Sequence, residues 1–186
     1  GTQWLMRSLS DNGRPDIALR LATNRDYPSW GYMVENGATT IWELWNGNTA
    51  DASMNSLNHV MLLGDLIVWD YEYLGGIRNA PESAGFKQIL MHPLTQIGLD
   101  YVKASYKSCY GQINSSWRHT QQGFFWDITV PCNTRATIYV PASSPDRVRA
   151  GNRKADGCGG IRILRMESGC SVCVIGFGYS WFPVLR

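Results

Sequence analysis

From residue 85 to the end of the chain, apolar side chains alternate with their neighbours along the sequence, and no stretch has convincing helical spacing. The clearest run contains Phe124, Trp126, Ile128 and Val130, which alternate with Phe125, Asp127 and Thr129. Similar runs lie at 86–92, 99–107, 113–117, 136–140, 161–165, 172–177 and 179–184, and Gly or Pro residues divide them. Several short strands without intervening helices are typical of an antiparallel β-sandwich or jelly roll.

The first part of the chain has a different periodicity. Residues 2–25 predict two short amphipathic helices, with Trp4, Leu5, Ser8 and Leu9 on one face of the first. Apolar residues recur at helical spacing from Ser56 to Tyr73, which predicts the longest helix, ended by the glycines at 75 and 76. We therefore expect an α+β chain in two parts, residues 1–78 and residues 79–186.

Between these helices, residues 32–34 and 40–42 are rich in residues that favour strands. Asn36-Gly37 lies between them and can adopt positive φ, so a β-hairpin is expected here. On an extended segment from Ile41 to Trp45, the side chains of Ile41, Glu43 and Trp45 would share one face.

The composition narrows the class of protein. The chain has 186 residues, 44% of them hydrophobic and 17% charged, with a net charge of +2. Charges of both signs are mixed along the sequence, which argues against a nucleic-acid partner. No apolar run approaches the ~18 residues of a spanning helix, so no membrane segment is expected. Cytoplasmic, periplasmic and secreted locations all stay open, and the start at Gly1 predicts the interior or C-terminal part of a longer polypeptide.

The chain contains 5 cysteines, an odd number that does not imply a complete disulfide framework. Cys170 and Cys173 have the spacing of metal ligands, but no second pair accompanies them. The favoured interpretation is that they are buried free thiols on a strand.

The segment Trp42-Glu43-Leu44-Trp45 places a carboxylate between two tryptophans. If the indoles enclose Glu43, the carboxylate loses water, which disfavours its charged form and suits a general acid or base. Trp45 would then line a pocket together with Glu43. The alternative is an ordinary strand on which Glu43 points into solvent.

Three motifs occur in a specific order: residues 27–33 (YPSWGYM), residues 37–45 (GATTIWELW) and residues 53–59 (SMNSLNH). Together they closely resemble the end of the catalytic domain of bacterial-type α-L-rhamnosidases, glycoside hydrolase family 78. Residues 85–186 are similar to the C-terminal β-sandwich of that family, although this part is less specific. Leu44 departs from the pattern, since the family often has Arg between Trp-Glu and Trp.

The resemblance implies the last helices of an (α/α)6 barrel followed by the β-sandwich. It also implies hydrolysis of terminal α-L-rhamnose with inversion, without a metal or other cofactor. Glu43 matches the general base, and His59 matches a histidine that contacts the sugar. The general acid of the family lies upstream of residue 1, so we expect half of an active site here. The implied partners are rhamnose-containing glycosides or polysaccharides and the upstream part of the same polypeptide.

Two further interpretations stay open. The sandwich could be a non-catalytic carbohydrate-binding module in which Trp117, Trp126 or Trp181 stacks on sugar, although the alternation favours the core for Trp117 and Trp126. The chain could also belong to another inverting glycosidase on the same helical barrel, with a different sugar specificity.

Overall fold

A computed structural model describes residues 2–53 and 55–185, with all side chains except those of residues 2, 3, 63–65, 157 and 185. The chain divides into two compact units, Gly1–Asp70 and Tyr71–Arg186. The first is helical and the second is built mainly of β-strands. Helices followed by antiparallel-rich sheets confirm the predicted fold class.

The helical unit contains α1 (Thr2–Asp11), α2 (Pro15–Thr23), α3 (Trp30–Glu35) and α4 (Leu63–Trp69). Trp69 is fully buried, and its Nε1 donates a 2.8 Å hydrogen bond to Oγ of Ser10. Ser10 in turn donates to the carbonyl of Met6, so α1 and α4 are joined by a polar contact inside their interface. The buried face of α1 therefore carries Met6 and Ser10, whereas Trp4 and Leu5 of the predicted face are exposed.

The predicted hairpin around Asn36-Gly37 is wrong. Residues 30–35 form α3 instead, because Oγ of Ser29 accepts a 2.9 Å hydrogen bond from the amide of Tyr32 and caps the helix. Gly37 has a φ of +86° just beyond the helix end, and residues 39–44 form bends and irregular backbone rather than a strand. A local cap outweighs the strand preference of the β-branched and aromatic residues in this short segment.

The predicted helix from Ser56 to Tyr73 begins late. A 3₁₀ turn at Val60–Leu62 leads into α4, and a π-helical turn follows at Asp70–Leu74. Residues 56–59 are not helical because their backbone groups bond to residues 41–43 instead. A tertiary contact therefore replaces the first turn that the periodicity predicts.

The second unit contains eleven strands among the described residues. They are β1 (Ile77–Asn79), β2 (Gln88–Met91), β3 (Tyr101–Ser108), β4 (Gly111–Thr120), β5 (Gly123–Val130), β6 (Arg135–Val140), β7 (Arg149–Ala150), β8 (Arg153–Lys154), β9 (Ile161–Glu167), β10 (Cys170–Ile175) and β11 (Gly178–Leu185). One sheet has the order β1-β2-β6-β10-β9 and the other β11-β5-β4-β3, while β7 and β8 form a small hairpin. All pairs are antiparallel except β2 with β6. Each predicted strand from residue 86 onward is confirmed, whereas β1 and the short pair β7–β8 escaped prediction.

One apolar core joins the two sheets of this unit. Trp117 and Trp126 are fully buried in it, so the core interpretation is confirmed and neither indole can serve as a sugar platform. Trp126 donates a 2.9 Å hydrogen bond to the hydroxyl of buried Ser115, which satisfies its polar end. Trp181 is half-buried and stacks on Phe125 with a centroid separation of 5.9 Å. Cys173 is buried on β10, while Cys170 is half-buried.

The helical unit leaves many large apolar side chains in contact with solvent. They include Trp4, Leu5, Leu21, Val34, Leu57, Val60, Met61 and Ile67. A self-contained domain of this size would bury most of them, so these faces are suited to packing against further helices. No helix in the described part of the chain is both long and apolar enough to cross a membrane.

Candidate active site

The candidate site is built by two segments that run beside each other in the helical unit, residues 40–47 and residues 55–59. The amide of His59 donates to the carbonyl of Ile41 at 2.8 Å, and the amide of Glu43 donates to the carbonyl of Ser56 at 2.9 Å. The hydroxyl of Thr40 donates to the carbonyl of Leu57. These bonds fix the two segments in one register, which places Glu43 and His59 side by side.

Glu43 is held at its carboxylate as well as at its backbone. Its Oε2 accepts a 3.0 Å hydrogen bond from the amide of Ser56. The same oxygen lies 3.7 Å from Nδ1 of His59, a separation that allows attraction whenever the imidazole is protonated. The carboxylate is therefore oriented by one backbone donor and lies beside one ring nitrogen.

The expectation that two indoles enclose Glu43 is wrong. Its side chain is 41% exposed, whereas that of His59 is 21% exposed. Trp42 turns into the core of the unit, and Trp45 packs edge-to-face on Trp30 with a centroid separation of 5.7 Å. The segment is not an extended strand, so the alternation that would place Glu43 and Trp45 on one face does not apply.

Two residues that the sequence interpretation left without a role complete the site. Oδ1 of Asn55 accepts from the amide of Leu44 at 3.2 Å, and Nδ2 of Asn55 donates to the carbonyl of Gly47 at 3.2 Å. Ser56 supplies the amide that holds Glu43. Both lie in the motif 53–59, which was the only signal that could have indicated them; Met54 of this motif lies outside the described residues.

Gly47 fits the site because it lacks a side chain. A Cβ atom at this position would lie 2.8 Å from the ring of Trp42, closer than packed carbon atoms approach. The chain therefore folds tightly over the buried indole two residues after Trp45. This contact anchors the segment that carries Glu43.

Comparison with known proteins shows which protein family has these features. The model of the bacterial α-L-rhamnosidase six-hairpin glycosidase domain matches residues 1–74, and that of the bacterial α-L-rhamnosidase C-terminal domain matches residues 76–155. The chain belongs to the bacterial α-L-rhamnosidase family. All the residues of the candidate site, including Glu43, Trp45 and His59, lie within the match to the rhamnosidase glycosidase domain.

Individual relatives agree with this family assignment. An α-L-rhamnosidase of Streptomyces avermitilis is 34% identical over 189 aligned positions, which cover 99% of this chain and 17% of the relative. One from Formosa agariphila is 34% identical over 172 positions, covering 90% of this chain and 18% of the relative. The rhamnosidase-family chain described here thus spans about a sixth of the length of these relatives.

Solved structures show the same likeness. The crystal structure of the Streptomyces avermitilis α-L-rhamnosidase complexed with L-rhamnose has a TM-score of 0.85 and 34% identity, over 98% of this chain and 17% of that one. The α-L-rhamnosidase from "Dictyoglumus thermophilum" has a TM-score of 0.84 and 29% identity, over 100% of this chain and 20% of that one. The rhamnosidase-family fold is therefore shared over both units.

An aspartate and a histidine are among the other titratable groups of this rhamnosidase-family chain whose pKa values burial changes. Burial raises the pKa of the Asp70 carboxyl to about 6. Burial also lowers the pKa of His92, and the nearby charge of Arg78 adds to the effect. His92 stacks on Tyr139 with a centroid separation of 4.2 Å, within the sandwich unit. Both groups lie outside the two segments that form the candidate site.

Proposed function

We propose that this chain is the C-terminal part of an α-L-rhamnosidase that releases terminal α-L-rhamnose from rhamnose-containing glycosides or polysaccharides. Residues 1–78 then close the (α/α)6 catalytic barrel, and residues 79–186 form its C-terminal sandwich. The observation that carries the proposal is the position of Glu43 Oε2, 3.0 Å from the amide of Ser56 and 3.7 Å from Nδ1 of His59. This arrangement lies in the region that matches the rhamnosidase catalytic domain.

In this proposal Glu43 is the general base of an inverting reaction. Ser56 occupies Oε2, and no described residue donates to Oε1, which leaves Oε1 free to accept a proton from water. The activated water attacks the anomeric carbon while a second carboxyl group, from the upstream part of the polypeptide, protonates the leaving oxygen. The two carboxyl groups of inverting glycosidases are roughly 6.5–9.5 Å apart, which leaves room for that water.

His59 and Trp45 bind the sugar in this proposal. The ring of His59 lies beside the carboxylate and can donate a hydrogen bond to a rhamnose hydroxyl from the same side as the base. Trp45 is half-buried and fixed against Trp30, so its remaining surface offers a rigid apolar face for the C–H groups of the pyranose.

The test is Glu43→Gln in the complete polypeptide, which keeps an acceptor oxygen for Ser56 and removes the base. We expect kcat for a neutral aryl α-L-rhamnoside to fall by about 10²–10⁴, the usual contribution of general acid–base catalysis. Glu35→Gln is the matched control, because Glu35 is another exposed carboxylate of the same unit and pairs with Arg25.

Wild-type-like turnover by the Glu43→Gln variant would overturn the assignment of the base. The stereochemistry is tested separately, by NMR of the first product formed by the unmodified enzyme. We expect β-L-rhamnose to appear before mutarotation, and α-L-rhamnose as the first product would contradict inversion. Assaying other aryl glycosides in parallel tests whether rhamnose is the preferred sugar.

A further inference from the structure

The five-stranded sheet carries an open trough where β6 begins and β10 ends. Ile175 of β10 pairs with Ala136 of β6, so Gly176 lies beside Arg135 in the next row of the sheet. The amide of Gly176 donates to the carbonyl of Gly160 at 3.1 Å, which continues the row toward β9. A Cβ on Gly176 would meet no atom within 4 Å, so the space above this glycine is open.

Three cavities meet at this glycine, and Gly176 lines all of them. Their volumes are about 560, 480 and 410 Å³. Each volume is within the ~300–1,000 Å³ that ligand pockets commonly measure. The three cavities therefore adjoin at Gly176, on the surface of the sandwich unit.

The charged side chains described along the trough are all positive. Arg135 lines both the 560 Å³ cavity and the 410 Å³ cavity. Lys87 also lines the first of these, and Arg162 also lines the second. The described residues that line the three cavities include no Asp or Glu. Both arginines are exposed, and neither forms an ion pair with a described residue. Their charges are thus available to an anion from outside.

The positions of the two arginines follow from the strand register. Arg162 of β9 pairs with Val174 of β10, and Val174 is two residues from Gly176 on the same face of the sheet. Arg135 lies on β6, on the other side of β10. The guanidinium groups therefore flank β10 from both sides, with Gly176 between them as the floor of the trough.

An aromatic side chain completes the trough. Phe177 stands between Gly176 and Gly178, lines two of the cavities, and is 69% exposed. Packing within this unit does not account for its position, because the core does not include it. Aromatic faces that stack on pyranose rings, next to guanidinium groups that bind planar anions in two-point contacts, suit a sugar that carries an acid group.

We propose that this trough binds an anionic saccharide, a segment of the glycan in which a carboxylate or sulfate lies near the rhamnose residues. The proposal rests on the proposed function, because it concerns the same rhamnose-containing substrate and adds that this glycan is acidic. Arg135 and Arg162 bind the acid group, and Phe177 contacts the ring. The trough thus determines which glycans the enzyme prefers, without taking part in the chemistry.

The test measures binding to the complete polypeptide by calorimetry with three oligosaccharides of equal length. One alternates rhamnose with uronate, one carries sulfated rhamnose, and one is neutral. We expect the anionic saccharides to bind and the neutral one to bind at least 10-fold more weakly, with a difference that shrinks at ~0.2 M salt because exposed charges are screened. Comparison of the uronate and sulfate arms shows which acid group is preferred.

Variants locate the binding. Arg135→Gln and Arg162→Gln should each lower the affinity for the preferred anionic saccharide about 3–10-fold, the range expected for exposed charged contacts. Gly176→Gln fills the trough without backbone strain and should lower the affinity further. Lys107→Gln is the control, because it also removes one exposed cation of the sandwich unit but lies on β3 of the other sheet.

Equal affinity for neutral and anionic saccharides would overturn the proposal, as would arginine variants that bind like the unmodified protein. An absence of any binding, as expected if another part of the polypeptide covers the trough, would overturn it too. Hydrolysis of a neutral aryl α-L-rhamnoside is measured on the same samples. Saccharide binding without hydrolysis of the aryl rhamnoside would contradict only the proposed function. Hydrolysis without saccharide binding would contradict only the proposal for the trough.

Discussion

The amide of Ser56 donates a 3.0 Å hydrogen bond to Oε2 of Glu43, while the amide of Glu43 donates a 2.9 Å bond to the carbonyl of Ser56. The two residues therefore hold each other through both backbone and carboxylate. One pairing thus fixes the register of the segments and the orientation of the proposed base.

Replacing Ser56 by Pro tests this pairing, because proline has no amide proton to donate. We expect kcat/KM for an aryl α-L-rhamnoside to fall about 10–100-fold in the complete polypeptide, since a charge-assisted hydrogen bond contributes about 1.5–3 kcal/mol. Ser56→Ala is the matched control and should retain most of the activity, because it keeps the amide. Equal losses in both variants would mean that the hydroxyl, not the amide, is required.

The contact between Trp30 and Trp45 predicts an energetic coupling. The rings are edge-to-face at 5.7 Å, a geometry that contributes about 0.5–1.5 kcal/mol beyond area burial. A double-mutant cycle of Trp30→Ala and Trp45→Ala, measured by urea unfolding of the complete polypeptide, should recover this coupling. Trp45→Ala should also raise KM more than it lowers kcat, whereas Trp30→Ala changes KM less. Strict additivity of the two unfolding free energies would exclude the coupling.

The buried hydrogen bond from Trp126 to Ser115 predicts a stability loss in the sandwich. Ser115→Ala leaves the indole N–H without a partner in the core, which costs about 1–3 kcal/mol of unfolding free energy. Ser116→Ala on the outer face of the same strand is the control and should stay within about 0.5 kcal/mol. If the two variants unfolded at the same denaturant concentration, the bond would contribute no net stability.

Asp70 predicts a pH-dependent stability. Its pKa is raised from 3.8 to about 6 in the folded chain, so the folded state favours its protonated form. That favourable contribution is complete below pH ~4 and is lost as the pH rises through 6. The full shift corresponds to about 3 kcal/mol, which partial exposure reduces to about 1–2 kcal/mol. Relative to the unmodified protein, Asp70→Asn should therefore gain stability between pH 4 and 7 in thermal or urea unfolding.

Asp51 supplies a control of opposite sign for this experiment. Its pKa is lowered by hydrogen bonds from the amide and then the hydroxyl of Ser53, so its contribution is present above the unfolded pKa and lost in acid. Asp51→Asn should be less stable than the unmodified protein at neutral pH, and the deficit should vanish as the pH falls. The same pH trend in both variants would contradict the assigned causes.

Much of the sandwich was predictable from the sequence, because strand side chains alternate between core and solvent over consecutive residues. Trp126, Ile128 and Val130 show that alternation, and all three are buried in β5. The ordered motifs between residues 27 and 59 also indicated the family. These are local signals, which the chain carries in a few neighbouring residues.

The environment of Glu43 was decided by the tertiary structure. Residues 56–59 have helical spacing, yet their backbone bonds to residues 41–43, a partner far along the chain that periodicity does not describe. The trough at Gly176 likewise exists because strand register brings Arg135 and Arg162 to either side of one glycine. The sequence by itself determined the family and most of the strands of the sandwich, but not the helix at Trp30–Glu35. Only the tertiary structure decided which residues meet, because the hydrogen bonds that bring them together join segments distant in sequence.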